Sequence, residues 1–128
     1  MSWSDIKDEL FRSSRACQVY RSDLQRECGA GAEQLDHAVF QGKQKSKKLK
    51  VAGRRWLNSR FNAQRACREC NVDQRWADTR EAKEHHIARE LERDYHGFLR
   101  WYWDAPEGIS RKRGSAWRET KEIVARYM

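Results

Sequence analysis

The chain has 128 residues, of which 36% are charged and 38% hydrophobic, and its formal net charge is +8. This length suits a single domain with a modest core. Six Trp, four Tyr and four Phe supply large apolar faces that disordered chains lack, so we expect a folded protein. No apolar run approaches the roughly 20 residues that cross a bilayer, and the acidic start is unlike a signal peptide, which argues against membrane-spanning and secreted classes.

The excess positive charge is confined to one stretch of the sequence. No acidic residue occurs between Asp36 and Glu69, and the rest of the chain has 17 basic and 19 acidic residues. A concentrated positive field predicts an anionic partner, either a nucleic acid or an acidic protein. The predicted basic patch consists of Lys43, Lys45, Lys47, Lys48, Lys50, Arg65 and Arg68, with Arg54, Arg55 and Arg60 in the same window.

The first half of the chain predicts helices. One proline and seven glycines leave few breaks, which favours long helices over strands and turns. Apolar positions at spacings of four and three, including Ile6, Leu10 and Cys17, predict a first helix over residues 4–28 that ends at Gly29. A short second helix is expected over residues 35–40, and residues 41–50 are expected to form a basic loop or insertion.

The second half continues this pattern. Residues 49–67 predict a third amphipathic helix that combines a core side with a basic side. A long helix over residues 73–103 should stop at Pro106, and a short helix after Ser115 should follow a basic connector over residues 104–114. We therefore predict one all-α domain over residues 1–128: a three-helix bundle-like core with an additional short C-terminal helix.

Trp56 and Phe61 permit two interpretations within the basic window. Aromatic rings among basic side chains are typical of surfaces on which nucleic-acid bases stack. However, the helical spacing of both rings with Leu49 and Ala52 favours core positions. Charge alone would then face the solvent, and charge does not distinguish RNA from an acidic protein.

A second motif concerns metal binding. Cys67-Arg-Glu-Cys70 followed by His85 and His86 resembles the start of an HNH nuclease, in which a histidine activates water beside a bound divalent ion. No asparagine occurs after Asn71, and the spacing differs from that of a zinc finger. We therefore predict no metal site and no intrinsic cofactor, with solvated helix histidines, and keep Cys67, Cys70, His85 and His86 as the alternative ligand set.

The remaining chemistry of the sequence is sparse. The four cysteines, which also include Cys17 and Cys28, permit either two disulfides or free thiols in a reducing compartment. No nucleophile with a neighbouring base and no Gly-rich phosphate loop is found. We therefore predict no catalytic residues and a protein that is not an enzyme.

The segment Val19-Tyr20-Arg21, followed by Leu24, resembles the first helix of the LYR-motif family of small mitochondrial proteins, with Val19 in place of the leucine. The basic run from Arg54 to Phe61 is similar to the end of that family's second helix. The resemblance covers roughly residues 14–91, with residues 42–50 as an insertion.

The resemblance implies a non-enzymatic accessory or assembly subunit of a mitochondrial respiratory complex, on the matrix side. Its partners would be acyl carrier protein, which brings its own acyl-phosphopantetheine, and other subunits of the complex. The implied partner-binding residues are Tyr20 and Arg21 at the carrier contact, Arg54, Arg55 and Arg60 at the rim, and Phe61 in the acyl tunnel. The alternatives are a DNA- or RNA-binding protein that uses residues 43–68, of phage, plasmid or ribosomal type and cytoplasmic, and a degenerate HNH-like zinc or nuclease module.

Overall fold

A computed structural model of the protein describes residues 2–40, 51–106 and 114–128. Five α-helices and two two-stranded antiparallel sheets make up the described chain. The prediction of an all-α fold is therefore wrong: the protein is mixed, with a predominance of helix. The predicted basic loop over residues 41–50 lies outside the described residues, as does most of the predicted connector over residues 104–114.

The predicted first helix is much shorter than expected. Helix α1 (Trp3–Ser13) begins at a capping box in which Ser2 and Asp5 satisfy each other's backbone N–H, and it buries Ile6 and Leu10. The chain then becomes extended. Cys17 and Val19 are both buried, as expected for alternate positions of an extended segment that covers the core with one face. Strands β1 (Tyr20–Arg21) and β2 (Arg26–Glu27) form a hairpin there.

The middle of the chain contains the second sheet. Strand β3 (Gln34–His37) replaces the predicted second helix and pairs with β4 (Ala63–Ala66), so that Asp36 lies opposite Gln64. Of the predicted third helix, only α2 (Val51–Leu57) is helical. Ser59 caps a 3₁₀ turn (Arg60–Asn62) that leads into β4, all four residues of which are buried, so the apolar run that predicted a helix belongs to a covered strand.

The predicted long helix over residues 73–103 is divided in two. After a 3₁₀ turn (Trp76–Asp78), α3 (Arg80–Arg93) and α4 (Tyr95–Trp103) are separated at Asp94, whose side chain caps the Gly97 N–H at 3.0 Å. A Cβ at position 97 would collide with the Asp94 carboxylate and come within 2.8 Å of the Phe61 ring, so the glycine allows both the Asp94 cap and the close packing of α4. The predicted end at Trp103 and the C-terminal helix, α5 (Gly114–Ala125), are confirmed.

The largest core cluster joins α2 to the C-terminal helices. Trp56 and Trp101 stack at 4.5 Å, and each indole N–H donates to the other residue's carbonyl, at 2.6 and 2.9 Å. Phe61 is half-buried and contacts Phe98 edge-on. The prediction that both rings of the basic window belong to the core is confirmed. Within the described residues, no helix has the length and apolar content needed to span a membrane.

Candidate metal centre and adjoining polar site

Four cysteines from distant parts of the chain meet beside the two sheets. Cys17 and Cys28 flank the β1–β2 hairpin, where the Cys28 N–H donates to the Val19 carbonyl. Cys67 and Cys70 follow β4, and the Cys67 N–H donates to the Cys17 sulfur at 3.3 Å. All four are free thiols and all are buried. The fold thus brings a Cys-x10-Cys pair and a Cys-x2-Cys pair to one point.

The distances among these sulfurs suit a tetrahedral metal site. The four Sγ atoms lie within 4.8 Å of one another, and those of Cys28 and Cys67 are 3.9 Å apart. A zinc ion bound to four thiolates at about 2.3 Å requires sulfur–sulfur separations of about 3.8 Å. A disulfide would need about 2.05 Å. The donor set and its spacing therefore fit a structural Zn²⁺ site.

The protonation of the thiols depends on their environment. Burial raises the pKa of Cys17 to about 11, and burial also raises the pKa of Cys70. Burial opposes ionisation of Cys28 as well, but hydrogen bonds from the Ala30 backbone and from the neighbouring thiols outweigh it and lower the pKa. Because buried thiolates are unfavourable without a counter-charge, a divalent metal is the group that would compensate them.

The two histidines kept as alternative ligands with Cys67 and Cys70 are not part of the four-cysteine cluster. His86 is completely buried, with Nε2 2.7 Å from the Phe61 carbonyl and Nδ1 3.0 Å from the Arg89 guanidinium. Burial and the charge of Arg89 hold its pKa well below the usual range. His85 stacks on Tyr20 at 5.0 Å and lies 3.6 Å from Glu27. The expectation of solvated histidines fails for His86, whose hydrogen bonds link α3 to the turn before β4.

A second polar group lies at the end of β3, on the strand that pairs with β4. Asp36 is only 6% exposed, and its carboxylate accepts a hydrogen bond from the Gln64 amide at 2.9 Å. Burial raises the pKa of Asp36 to about 6, and the negative charge of Asp78 adds to this effect. Among the described residues no Lys or Arg forms an ion pair with Asp36. A buried carboxylate without a counter-charge is uncommon and marks candidate functional sites.

The neighbouring His37 is held in a defined orientation. Its ring stacks on Trp3 at 4.0 Å with an interplanar angle of 6°, and its Nε2 lies 2.8 Å from Oδ1 of Asn58. Because an amide oxygen only accepts, Nε2 of His37 carries the hydrogen in this contact. His37 is half-buried, so the side chain is fixed without being removed from the surface.

Asn62 fixes the chain that follows His37. Its Oδ1 accepts from the Val39 and Phe40 N–H groups, at 2.9 and 3.1 Å, and its Nδ2 donates to the carbonyls of Phe40 and Leu57, both at 2.9 Å. The side chain is completely buried and all of its hydrogen-bonding capacity is used. Asn62 therefore determines the path of residues 38–40 and, through it, the position of His37.

Asn71 connects the cysteines to the polar group. It directly follows Cys70, and its Nδ2 donates to Oε1 of Gln34 at 2.7 Å. Gln34 and Asp36 are two residues apart on β3, so their side chains lie on the same face of the strand. The segment that carries Cys70 therefore places the Asn71 amide beside Gln34, on the face of β3 that carries Asp36.

The residues predicted for partner binding lie on different elements of the fold. Tyr20 and Arg21 lie on β1, where the Arg21 guanidinium pairs with Asp23 at 2.6 Å and with Glu69 at 3.5 Å and lies over the Trp76 ring. The Asp23 carboxylate raises the pKa of Arg21. Since the Val19-Tyr20-Arg21 segment is a strand, these side chains lack the helical arrangement that the LYR resemblance implies.

The basic residues of the window separate into exposed and structural positions. Arg54 and Arg55 are exposed on α2, and Arg68 is exposed beside Asp73. Arg60 pairs with the buried Glu90 at 3.0 Å. Arg65 does not belong to a basic surface, because it is 9% exposed and donates to the Leu10 and Ala16 carbonyls. The positions assigned to Lys43, Lys45, Lys47, Lys48 and Lys50 lie outside the described residues.

Sequence reasoning missed both Asp36-His37 and the second pair of cysteines. Cys17 and Val19 stand on either side of the polar Gln18, and this alternation was the sequence signal for an extended segment; both residues are buried in the fold. Comparison of this chain with protein-family models, with curated proteins and with solved structures gave no significant match. The function is therefore argued from the geometry of the site.

Proposed function

We propose that this chain is a metal-dependent nuclease of HNH-like type, in which a Zn²⁺ bound by the four cysteines stabilises the site and His37 is the general base. The observation that carries the proposal is the position of Asp36 and His37. Asp36, a buried carboxylate that forms no ion pair among the described residues, directly precedes the oriented imidazole of His37, and both lie on the strand paired with the one that leads into Cys67. Compared with the sequence-based interpretation, the active histidine is His37 rather than His85 or His86.

The oxygen atoms near Asp36 suit a hard divalent cation. Carboxylate oxygens are ligands of Mg²⁺ and Mn²⁺, and Asp36 supplies such a group on β3. A cation there would offset the negative charge of the Asp36 carboxylate, whose pKa is raised because the group is buried. Such an ion, when bound, would polarise a phosphoryl oxygen and stabilise the leaving oxygen.

The chain's own residues account for water activation. The imidazole of His37 takes a proton from a water molecule, and the water oxygen forms a new bond to phosphorus while the bond from phosphorus to the ester oxygen breaks. Asn58 holds the ring in the required tautomer, and Asn62 holds the backbone that follows it. The leaving oxygen is protonated from solvent, so the reaction is a simple phosphodiester hydrolysis.

The test is cleavage of a labelled DNA duplex with Mg²⁺ or Mn²⁺ and with neither. We expect cation-dependent cleavage that falls by about 10²–10⁴-fold in His37→Ala, the usual loss on removing a general base. His96→Ala is the matched control, because His96 is an exposed histidine of α4. Absence of cleavage under every condition, or equal activity in both variants, would contradict the proposal.

The acyl-carrier-protein partner and the mitochondrial location remain predictions. The segment on which that resemblance depends forms a hairpin instead of a helix, so the geometry favours the nuclease. Intact mass spectrometry of the protein from its native source tests the earlier interpretation, since a co-purifying acylated carrier protein would support it.

A further inference from the structure

A groove opens beside His37, between the start of α1 and helix α2. Its volume is about 860 Å³. Its lining comes from the start of α1, from α2 and the turn that follows it, and from Trp101, and it includes Trp3, Arg54, Arg55, Asn58 and Arg60. None of these lining residues is acidic. From the groove and the proposed function, on which this inference rests, we infer that this is where the phosphodiester backbone of the substrate nucleic acid binds.

Two residues of the groove wall contact His37 directly. Trp3 stacks on the imidazole at 4.0 Å, and Asn58 accepts its Nε2–H at 2.8 Å. Both side chains also line the groove. A polyanionic strand that follows the groove would therefore pass beside the proposed general base. Neither the cysteine cluster nor the smaller pocket at Tyr20 and His85 has this connection.

The charges of the groove are suited to phosphates. Arg54 and Arg55 are exposed, and within residues 2–40, 51–106 and 114–128 neither forms an ion pair with a carboxylate. Arg60, in contrast, is already neutralised by Glu90 at 3.0 Å. Two adjacent guanidinium groups without counter-charges can each contact a phosphate, and the helix holds them at a fixed separation. An acidic protein is the competing occupant, but the groove's position beside His37 favours the nucleic acid.

The experiment compares two double variants that remove the same charge. Arg54→Ala with Arg55→Ala changes the groove, whereas Arg12→Ala with Arg15→Ala removes two exposed arginines that are absent from its lining. Binding of a short fluorescein-labelled DNA duplex is measured by anisotropy over a range of salt concentrations, without added Mg²⁺. Loss of two phosphate contacts should reduce the slope of log K against log salt by about 1.8, since each contact contributes about 0.9. The control should keep the wild-type slope.

Cleavage kinetics provide a second measurement. If the two arginines bind the substrate equally well in the ground state and in the transition state, the groove variant should have a higher KM and an unchanged kcat. Both variants should fold, because substitutions at exposed positions rarely change stability by more than about 0.5 kcal/mol. Thermal melting checks this. Equal slopes in the two double variants would overturn the inference. Equally tight binding of poly-glutamate through the same arginines would also overturn it, in favour of an acidic protein.

The outcomes for the groove and for the nuclease can be told apart. A groove-dependent salt slope in a protein that never cleaves DNA would support the groove and remove the nuclease. Cleavage that depends on His37 but not on Arg54 and Arg55 would support the nuclease and remove the groove. A wild-type protein that does not bind DNA would overturn the inference outright.

Discussion

Substitution of Asn62 by alanine should be among the most damaging single changes in this protein. The side chain makes four buried hydrogen bonds, to two backbone N–H groups and two carbonyls. An unsatisfied buried polar group costs about 1–3 kcal/mol, so the lower value for each of the four gives about 4 kcal/mol. Domains of this size have a free energy of unfolding of about 5–15 kcal/mol, so Asn62→Ala should bring the protein close to unfolding.

Urea denaturation followed by tryptophan fluorescence measures this loss. Asn58→Ala is the matched control, because it removes the same type of side chain from the same segment. Asn58 is half-buried and its side chain hydrogen-bonds to the half-buried His37, so the control should cost about 1 kcal/mol or less. The reasoning is refuted if Asn62→Ala unfolds within 1 kcal/mol of the wild type, or if the two variants lose the same amount.

Three further predictions concern metal and pH. The purified protein should contain one zinc per chain. Removal of zinc by a chelator, or the substitution Cys17→Ser, should lower Tm sharply, since structural zinc contributes about 10–16 kcal/mol in small domains. A metal-free protein with an unchanged Tm would contradict this prediction. Burial raises the pKa of Asp36 to about 6, against about 3.9 when unfolded, so its contribution to stability is present below about pH 4 and lost as pH rises through 6. Without added Mg²⁺, Asp36→Asn should remove this loss and be more stable above pH 6 by on the order of 2–3 kcal/mol, as measured by urea titration at several pH values. The pH dependence that His86 contributes has the opposite sign: its pKa in the folded protein is well below 6.5, so stability is lost as pH falls below about 6.5. His86→Gln should therefore flatten the acid side of the Tm–pH curve. An unchanged curve would show that His86 does not stay neutral in the folded state.

The sequence predicted some elements because the local signals were strong. Pro106 and Asp104 correctly placed the end of the helix at Trp103, and Trp56 was correctly assigned to the core by its helical spacing. The same apolar spacing misled over residues 14–28 and 58–67. Short strands give only two to four alternating positions, which a helical pattern accommodates equally well.

The metal centre illustrates what spacing does not reveal. Cys67 and Cys70 stood out as a pair, but a Cys-x10-Cys pair is recognisable only once a hairpin brings Cys17 and Cys28 together. The same applies to Arg65, which counts as a surface charge in the sequence and as a buried donor to carbonyls in the fold. Composition records the charge, but burial determines whether a partner can reach it.

The sequence by itself determined that the chain folds, that its excess positive charge lies between residues 37 and 68, and that its C-terminal part is helical. These properties depend on composition and local periodicity. Only the tertiary structure decided that the four thiols meet within 4.8 Å and that Asp36 and His37 lie on the strand paired with the one that leads into Cys67. It also decided that Arg54 and Arg55 line a groove whose wall includes Trp3 and Asn58, the two residues that contact His37. The physical reason is that strand pairing and long-range burial join residues that are far apart in the sequence, such as Cys17 and Cys67 at 50 positions, and no local pattern records such contacts.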